Sequence, residues 1–382
     1  MIPSWTLSVG RDDLAQTRLT EGTYLLPRTA LRIAGPTAPA VPTRVRALRA
    51  PALTDGQALL RVDRVGVTAN NVTYAVLGES FHYWDFFPAA PGRGVVPLWG
   101  FAEVVESAVD GVEVGARLYG YLPSAGHLLV TPDRAGSRGF RDASPHRIQL
   151  PSPYNAYALT AGDSAYEPER EDLQILYRPL FFTSFMLADR LADSEGFGAE
   201  VLVLSSASSK TAYGTAFLLR GNGTELIGLT SPGNVAFTES LGCYDRVLPY
   251  EGVTELSAEQ PTTYLDFAGS APLTTALHEH LGGTLVHHAV IGVTHQDATP
   301  IGTLTGARPA VFFAPEQMRK RTADWGRAGL DERFAAAWRN FAPVVEGWVD
   351  VVLGHGPAAL EQVWLEVLSG KTAPRTGHIL TF

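Results

Sequence analysis

The chain has 382 residues, 45% hydrophobic and 18% charged, with a formal net charge of −9, a balance that suits a globular protein with room for two domains and argues against extensive disorder. An acidic chain whose one short basic cluster is Arg319, Lys320 and Arg321 lacks the electrostatic footprint of nucleic-acid binding. A single cysteine, Cys243, excludes an intramolecular disulfide and any multi-thiolate metal site; its flanks, ESLGCYDRV, read as core.

From the N-terminus, MIPSWTLSVGRDDLAQT lacks the basic region and apolar core of a secretion signal, and no run of about 18 uncharged apolar residues exists anywhere. The expectation is a cytoplasmic protein with no membrane partner. Residues 1–150 alternate helix-breaking stretches (RIAGPTAPAVP, FFPAAPGRG, PSAG) with short β-type runs (ALLRVDRVGV, FAEVVESAV, ARLYGYL, HLLVTP). This predicts a β-rich, barrel-like domain. The segment 152–174, SPYNAYALTAGDSAYEPEREDLQ, is polar and acidic with tyrosines at 154, 157 and 166, and reads as a lid, an oligomer contact or a surface excursion.

The pattern then changes. LQILYRPLFFTSFMLADRLAD predicts a helix, and six apolar runs follow: VLVLSS, ELIGLTS, DRVLPY, TTYLDFAG, TLVHHAVIG and PAVFFAP. Helical stretches such as TAYGTAFLLRG, NVAFTESLG and APLTTALHEHLG lie between them, which predicts a doubly wound parallel sheet because each parallel connection needs a crossover. Ligands of such sheets bind beyond the carboxyl ends of the strands. In the tail, LDERFAAAWRNFAPVVEGWVDVVL and GPAALEQVWLEVLSGKT read as helices and HILTF as a closing strand that could rejoin the first sheet. The fold class is therefore α/β: a discontinuous β-rich domain, residues 1–172 with 322–382, and a Rossmann-like domain, 173–321.

The turn after the first strand of that sheet is SSASSKT. A pyrophosphate needs backbone N–H groups at a helix start and close approach, which glycine permits. Ser206, Ser208 and Thr211 stand where an AxGxxG-type turn has Ala, Gly and Gly. With Ser209 they can still admit a dinucleotide and add hydroxyl donors; the turn is equally compatible with a lost site. A Walker-type loop is disfavoured because its glycines are missing. The second strand ends in Thr230 and Ser231 rather than in a carboxylate, so a 2′-phosphate meets no repulsion, and Lys210 could reach it or the pyrophosphate. That favours NADPH over NADH. Lys210 and Tyr213, spaced i, i+3, could also share a helix face for proton transfer.

GQALLRVDRVGVTANNVTYAVLG, WGFAEVVESAVDGVEVGARLYGYLP, PLFFTSFMLADRL, LTSPGNVAFTESLGCYDRVLPY, YLDFAGS, GGTLVHHAVIG and LEVLSGKTAPRTGHILTF occur in one collinear order. Together they resemble the medium-chain dehydrogenase/reductase superfamily, in its zinc-independent quinone and enoyl reductase branches, and within it a bacterial group carrying a domain of unknown function. The resemblance covers about residues 55–382 and is poor over 125–172. It implies a GroES-like first domain, a Rossmann second domain and often a homodimer. Thr183 matches a threonine in the helix before the nucleotide domain. Gly269, Gly292 and Thr294 fall on the rim where the family binds its cofactor, with His295 in GVTHQD facing the ligand. The zinc-dependent members' cysteine, their GHE stretch and their four clustered structural cysteines are absent, so no metal is expected.

The family's reaction is hydride transfer from nicotinamide to an enone, quinone or enoyl thioester, whose developing enolate needs donors and a proton. ANNVTY supplies them: Asn70 and Asn71 as oxyanion donors and Tyr74 as the acid, although Asn pairs also cap helices. FHYWDFF offers His82, Tyr83 and Trp84 as walls of a pocket for an apolar or aromatic small molecule, or a mobile hydrophobic loop. His278, His280, His287 and His288 lack HExxH spacing and read as structural. A nonredox lyase, isomerase or binding protein on the same scaffold is the alternative; a hydrolase is disfavoured because no GxSxG elbow occurs.

Overall fold

The computed structural model describes residues 3–11, 43–50, 52–291, 304–370 and 372–382. In chain order these form β1 (Pro3–Gly10), β2 (Thr43–Arg49), β3 (Ala58–Val67), α1 (Ala69–Val76), β4 (Arg93–Gly94), β5 (Pro97–Ser107), β6 (Arg117–Pro123), β7 (His127–Val130), β8 (Pro132–Gly136), β9 (Gly139–Asp142) and β10 (Ala156–Leu159). There follow α2 (Glu171–Asp193), β11 (Val201–Leu204), α3 (Lys210–Leu219), β12 (Glu225–Thr230), α4 (Val235–Ser240), β13 (Arg246–Pro249), β14 (Thr262–Asp266), α5 (Ala271–Leu281), β15 (Leu285–Ile291), β16 (Pro309–Phe312), α6 (Ala314–Val345), β17 (Asp350–His355), α7 (Gly356–Leu368) and β18 (Thr376–Thr381). The chain divides into two compact units, one running to Leu176 and resuming at Val349–Phe382, the other Tyr177–Trp348.

In the first unit a three-stranded sheet, β2-β1-β4, accompanies a nine-stranded one ordered β17-β18-β3-β5-β6-β10-β9-β8, with β7 as the ninth strand paired to β3 off this path. The C-terminal strand does rejoin the N-terminal sheet: β18 lies antiparallel to β3, His378 opposite Val67. Strand β3 organises the sheet because β5 takes one edge while the other is shared, β7 pairing with Ala58–Arg61 and β18 with Arg64–Val67. That split leaves an open path, with no closed barrel among the described residues. Leu60, Val62, Leu98, Val104 and Leu118 fill the core, and α7 covers it with Leu360, Trp364 and Val367.

Two sequence expectations change here. Within the 152–174 segment, Ala156–Leu159 is not a surface excursion but a strand of the sheet between β6 and β9, and Tyr157 is 1% exposed. The tail read as helix through 353 is helix only to Val345, and DVVLGH continues as β17, parallel to β18.

In the second unit six parallel strands run β13-β12-β11-β14-β15-β16. The first strand is central and the order reverses between β11 and β14, which is the doubly wound order with its ligand crevice at the reversal. β11, VLVL, is buried at every position, as a strand covered on both faces must be. Val203, Leu229, Tyr264, Leu277 and Leu285 form the core of this unit. No helix among the described residues is long and apolar enough to cross a membrane.

Candidate functional site

At the carboxyl end of β11 the chain turns through Ser206, whose φ of 50° lies in the left-handed region. An L-residue there costs about 1–2 kcal/mol, so serine holds a conformation that glycine would adopt freely. The turn packs tightly on the next strand because Gly228 of β12 leaves room: a Cβ there would stand 2.8 Å from Ala207. Ser206→Gly is accordingly expected to raise unfolding free energy by about 0.5–1 kcal/mol, read by urea denaturation, with no gain if the strain is fictitious.

Helix α3 begins immediately after. Its N-cap, Ser209, makes no side-chain capping bond, so the Ser209 hydroxyl satisfies none of the first N–H groups of the helix. Lys210 at the first helical position is half-buried; its Nζ lies 5.6 Å from the Tyr177 ring centroid and desolvation lowers the ammonium to about 8. Among the described residues no carboxylate pairs with it. The fully buried hydroxyl of Tyr213 pairs with that of Tyr177 at 2.7 Å.

Other residues expected at the cofactor have their polar atoms engaged inside the protein. Thr230 is fully buried and donates to Ser208 Oγ (3.2 Å), which also accepts from Asn234 Nδ2 (3.2 Å), so this network ties the turn to the end of β12. The Ser231 hydroxyl accepts from Asn234 Nδ2 at 3.0 Å. Thr183 Oγ1 donates to the Pro179 carbonyl of its own helix. Ser206, Ser209, Lys210 and Thr211 remain, together with the start of α3. A helix N-terminus without a side-chain cap, beside an ammonium with no carboxylate partner among the described residues, is suited to a diphosphate. Gly292, Thr294 and His295 lie outside the described residues.

At the strand-order reversal, Asp266 is 3% exposed and accepts from Ser205 Oγ (2.9 Å), Tyr264 Oη (2.9 Å), and the N–H groups of Ala268 (3.0 Å) and Gly269 (2.8 Å). Gly269, φ 57°, thus spends its amide on Asp266. Burial works to raise this carboxyl, but the hydrogen bonds and His288 outweigh it and leave it below its ordinary value. His288 Nδ1 meets His278 Nε2 at 2.9 Å and His278 Nδ1 lies 2.6 Å from the Thr305 carbonyl. These histidines are internal scaffold, as is Cys243, whose thiol burial pushes up to about 12. No three His, Cys, Asp or Glu side chains come together as a metal site among the described residues.

The first unit carries a separate cluster. Thr68 caps α1 in a reciprocal box with Asn71. Asn71 is 2% exposed; its Oδ1 accepts from Thr68 N (2.7 Å) and its Nδ2 donates to the Pro97 carbonyl (2.8 Å). With its oxygen on the cap and one of its two amide hydrogens on β5, Asn71 is enclosed in the scaffold that holds α1 against the sheet. Asn70, one residue earlier and partly exposed, instead donates to Tyr74 Oη one turn on, at 2.7 Å. Trp99 Nε1 donates to the same oxygen at 3.0 Å. Burial, then the neighbouring Tyr154, drive the Tyr74 phenol well above its ordinary value, and the two donors pull against that.

Around Tyr74 stand Tyr83, Tyr121 and Tyr154, with ring centroids at 4.7, 5.3 and 6.2 Å. Tyr83 Oη lies 3.4 Å from Tyr154 Oη. Tyr121 is fully buried and its hydroxyl has no hydrogen-bond partner among the described residues. Sequence reasoning missed Tyr121 and Tyr154, since nothing local marks two isolated tyrosines as neighbours of Tyr74. Of the FHYWDFF residues, Tyr83, Phe86 and Phe87 join this cluster. His82 is exposed and pairs with Asp85 at 2.9 Å. Trp84 is core, clamped where any side chain on Gly78 or Gly94 would strike its indole; its rim contributes only to a shallow groove of about 300 Å³ shared with Arg11, Asp85 and His146.

Beneath the cluster Arg147 is fully buried. It donates to Asp142 Oδ2 (3.0 Å), Asn155 Oδ1 (2.9 Å), Tyr157 Oη (2.9 Å) and the Tyr154 carbonyl (2.9 Å), and lies over the rings of Phe86 and Phe87. Tyr157 in turn donates to the Tyr121 carbonyl at 2.8 Å. One guanidinium therefore fixes the backbone that carries two of the phenols.

Comparison with known proteins places this architecture. The family described as Protein of unknown function (DUF2855) matches residues 65–373. No curated protein matches the chain. Among solved structures it is similar to a Mesorhizobium loti protein provisionally named an NADPH:quinone reductase, at 14% identity and TM-score 0.60 over 100% of this chain and 99% of that one. It is similar to Vibrio vulnificus CurA in complex with NADPH, at 13% identity and TM-score 0.56 over 88% and 94%. A mutant form of the Candida tropicalis enoyl thioester reductase is similar at 13% identity and TM-score 0.52 over 100% of both chains. Identities this low establish fold alone. The chain has the fold of the medium-chain dehydrogenase/reductase superfamily and belongs to the family described as Protein of unknown function (DUF2855).

Proposed function

We propose that the chain is an NADPH-dependent, zinc-independent reductase of an activated double bond, in an enone, quinone or enoyl thioester. The observation that carries this reading is Lys210: a desolvated ammonium with no carboxylate partner among the described residues, at the start of α3 and the carboxyl edge of a doubly wound sheet. Such a charge is costly unless an anion completes it. Lys210, Ser209, Thr211 and the first amides of α3 would hold the phosphates, and the absence of a carboxylate after β12 spares a 2′-phosphate from repulsion. When bound, the nicotinamide supplies the hydride. Tyr74 would supply the proton, and Tyr121, whose buried hydroxyl has no acceptor among the described residues, is a second candidate donor to the substrate oxygen.

A nonredox lyase, isomerase or binding protein is the competing reading, favoured by the hydroxyl network of Ser208, Thr230 and Asn234 that closes part of the turn on itself. Titration with NADPH and NADH, followed by nicotinamide fluorescence, separates the two. Saturable binding with NADPH the tighter supports the reductase; no binding by either overturns it. Lys210→Ala is expected to weaken NADPH about tenfold or more and NADH much less, and equal losses would remove Lys210 from the 2′-phosphate. The sign with pH follows from the lowered ammonium: charge is present below about 8 and lost above it. NADPH affinity should therefore fall as pH rises past that value in the wild type, and stay flat in Lys210→Ala.

A further inference from the structure

We propose that Trp99 is a positioning residue that, through its indole N–H, fixes and acidifies the Tyr74 hydroxyl. The inference rests on the proton-donating role given to Tyr74 above. An indole nitrogen only donates, so the 3.0 Å contact obliges Tyr74 Oη to accept. Asn70 Nδ2 occupies the oxygen's second acceptor direction at 2.7 Å. With both lone-pair directions filled, the hydroxyl proton must leave along the remaining one, where no acceptor is found among the described residues. The phenol is thereby held as an outward donor.

The same two bonds strengthen as charge develops on oxygen, because a donor to the ionised form favours that form. A buried phenol without them would surrender its proton only at great cost. Trp99 is itself fixed. It sits on β5 opposite Tyr121 of β6 and Gly66 of β3, and stacks on Tyr119 with centroids 5.6 Å apart and planes 13° from parallel. Asn71 ties α1 to Pro97, two residues before Trp99 on the same strand, so helix and indole keep their spacing. The amide on one side and the indole on the other thus reach one oxygen from two different elements.

The test places 3,5-difluorotyrosine at position 74 of the full chain, which brings the phenol's ionisation into the range where the protein stays folded, and follows its fluorine shift against pH. Trp99→Phe is expected to raise the midpoint by about one pH unit, a tenfold loss of acidity or ~1.4 kcal/mol. Tyr119→Leu, which unstacks the indole without touching its N–H, should move it far less; equal shifts in the two variants would overturn the proposal. If Trp99→Phe does not fold, the indole ¹⁵N–¹H resonance of Trp99 decides: it should move upfield in Tyr74→Phe, and an unmoved resonance refutes the bond. NADPH oxidation with 1,4-naphthoquinone as probe adds the catalytic consequence, a tenfold lower kcat in Trp99→Phe with unchanged NADPH binding. Should the wild type fail to turn over that probe, the reductase reading suffers while the fluorine midpoint still judges Trp99.

Discussion

Arg147→Met is expected to lower the unfolding free energy by about 3–5 kcal/mol, the range for removing one partner of a buried ion pair. The pair is wholly enclosed: Arg147 and Asp142 side chains are both 0% exposed. Methionine matches much of the stem but leaves the Asp142 carboxylate, the Asn155 amide oxygen and the Tyr154 carbonyl without the donors they now share. Asp142 keeps three bonds, from Thr131 N (2.9 Å), Ser144 N (2.9 Å) and Ser144 Oγ (2.7 Å), so it does not become wholly orphaned. Lysine at 147 retains the charge but not the planar fork that serves four acceptors at once, and should recover only part of the loss. Urea unfolding followed in the near-ultraviolet checks both variants. A loss below about 1 kcal/mol in Arg147→Met would show that this guanidinium does not organise the segment. Because the two ions share the penalty, Asp142→Asn with Arg147→Met should cost less than the sum of the single changes.

Arg147 also shows why some of this molecule was legible in sequence and some was not. The second unit could be read because each strand is a buried apolar run and each crossover a helical one, so that local pattern and sheet order agree. Ser208 could be read too, as a serine where glycine belongs, whereas the left-handed φ of Ser206, at the alanine position, could not. The 142–157 region defied reading because its strands are four residues long, too short to display alternation, and its polar residues suggest surface. Their burial depends on Arg147, whose partners lie 5, 8 and 10 residues away and meet only after β9 and β10 pair. Strand β17 was hidden for the opposite reason, since GWVDVVL prolongs the apolar run of α6 with no break that periodicity can detect. In ANNVTY the sequence names the polar residues but not their partners: only the folded geometry shows Asn71 bonded to the cap and to β5, and Asn70 bonded to Tyr74.

Tyr74→Phe should reduce kcat by about 10²–10⁴, the span of a positioned general acid, while NADPH binding is unchanged. The substitution removes one oxygen from a ring that is 4% exposed and packed against Tyr83 and Tyr121, so the aromatic framework survives. What it leaves behind are two donors, Asn70 Nδ2 and Trp99 Nε1, deprived of their acceptor. The stability cost should be about 1–3 kcal/mol, a loss that urea unfolding separates from the kinetic one. The pH profile carries independent information. Burial holds the phenol above its ordinary value, so Tyr74 stays protonated through and beyond neutral pH and imposes no descending limb there. Any fall in wild-type turnover just above pH 8 should then follow NADPH affinity and Lys210, and saturating NADPH should abolish it. If Tyr74→Phe instead keeps full turnover with 1,4-naphthoquinone as substrate, the proton comes from another group; Tyr121→Phe becomes the next variant to measure, because its hydroxyl is the other buried phenol with no acceptor in this cluster.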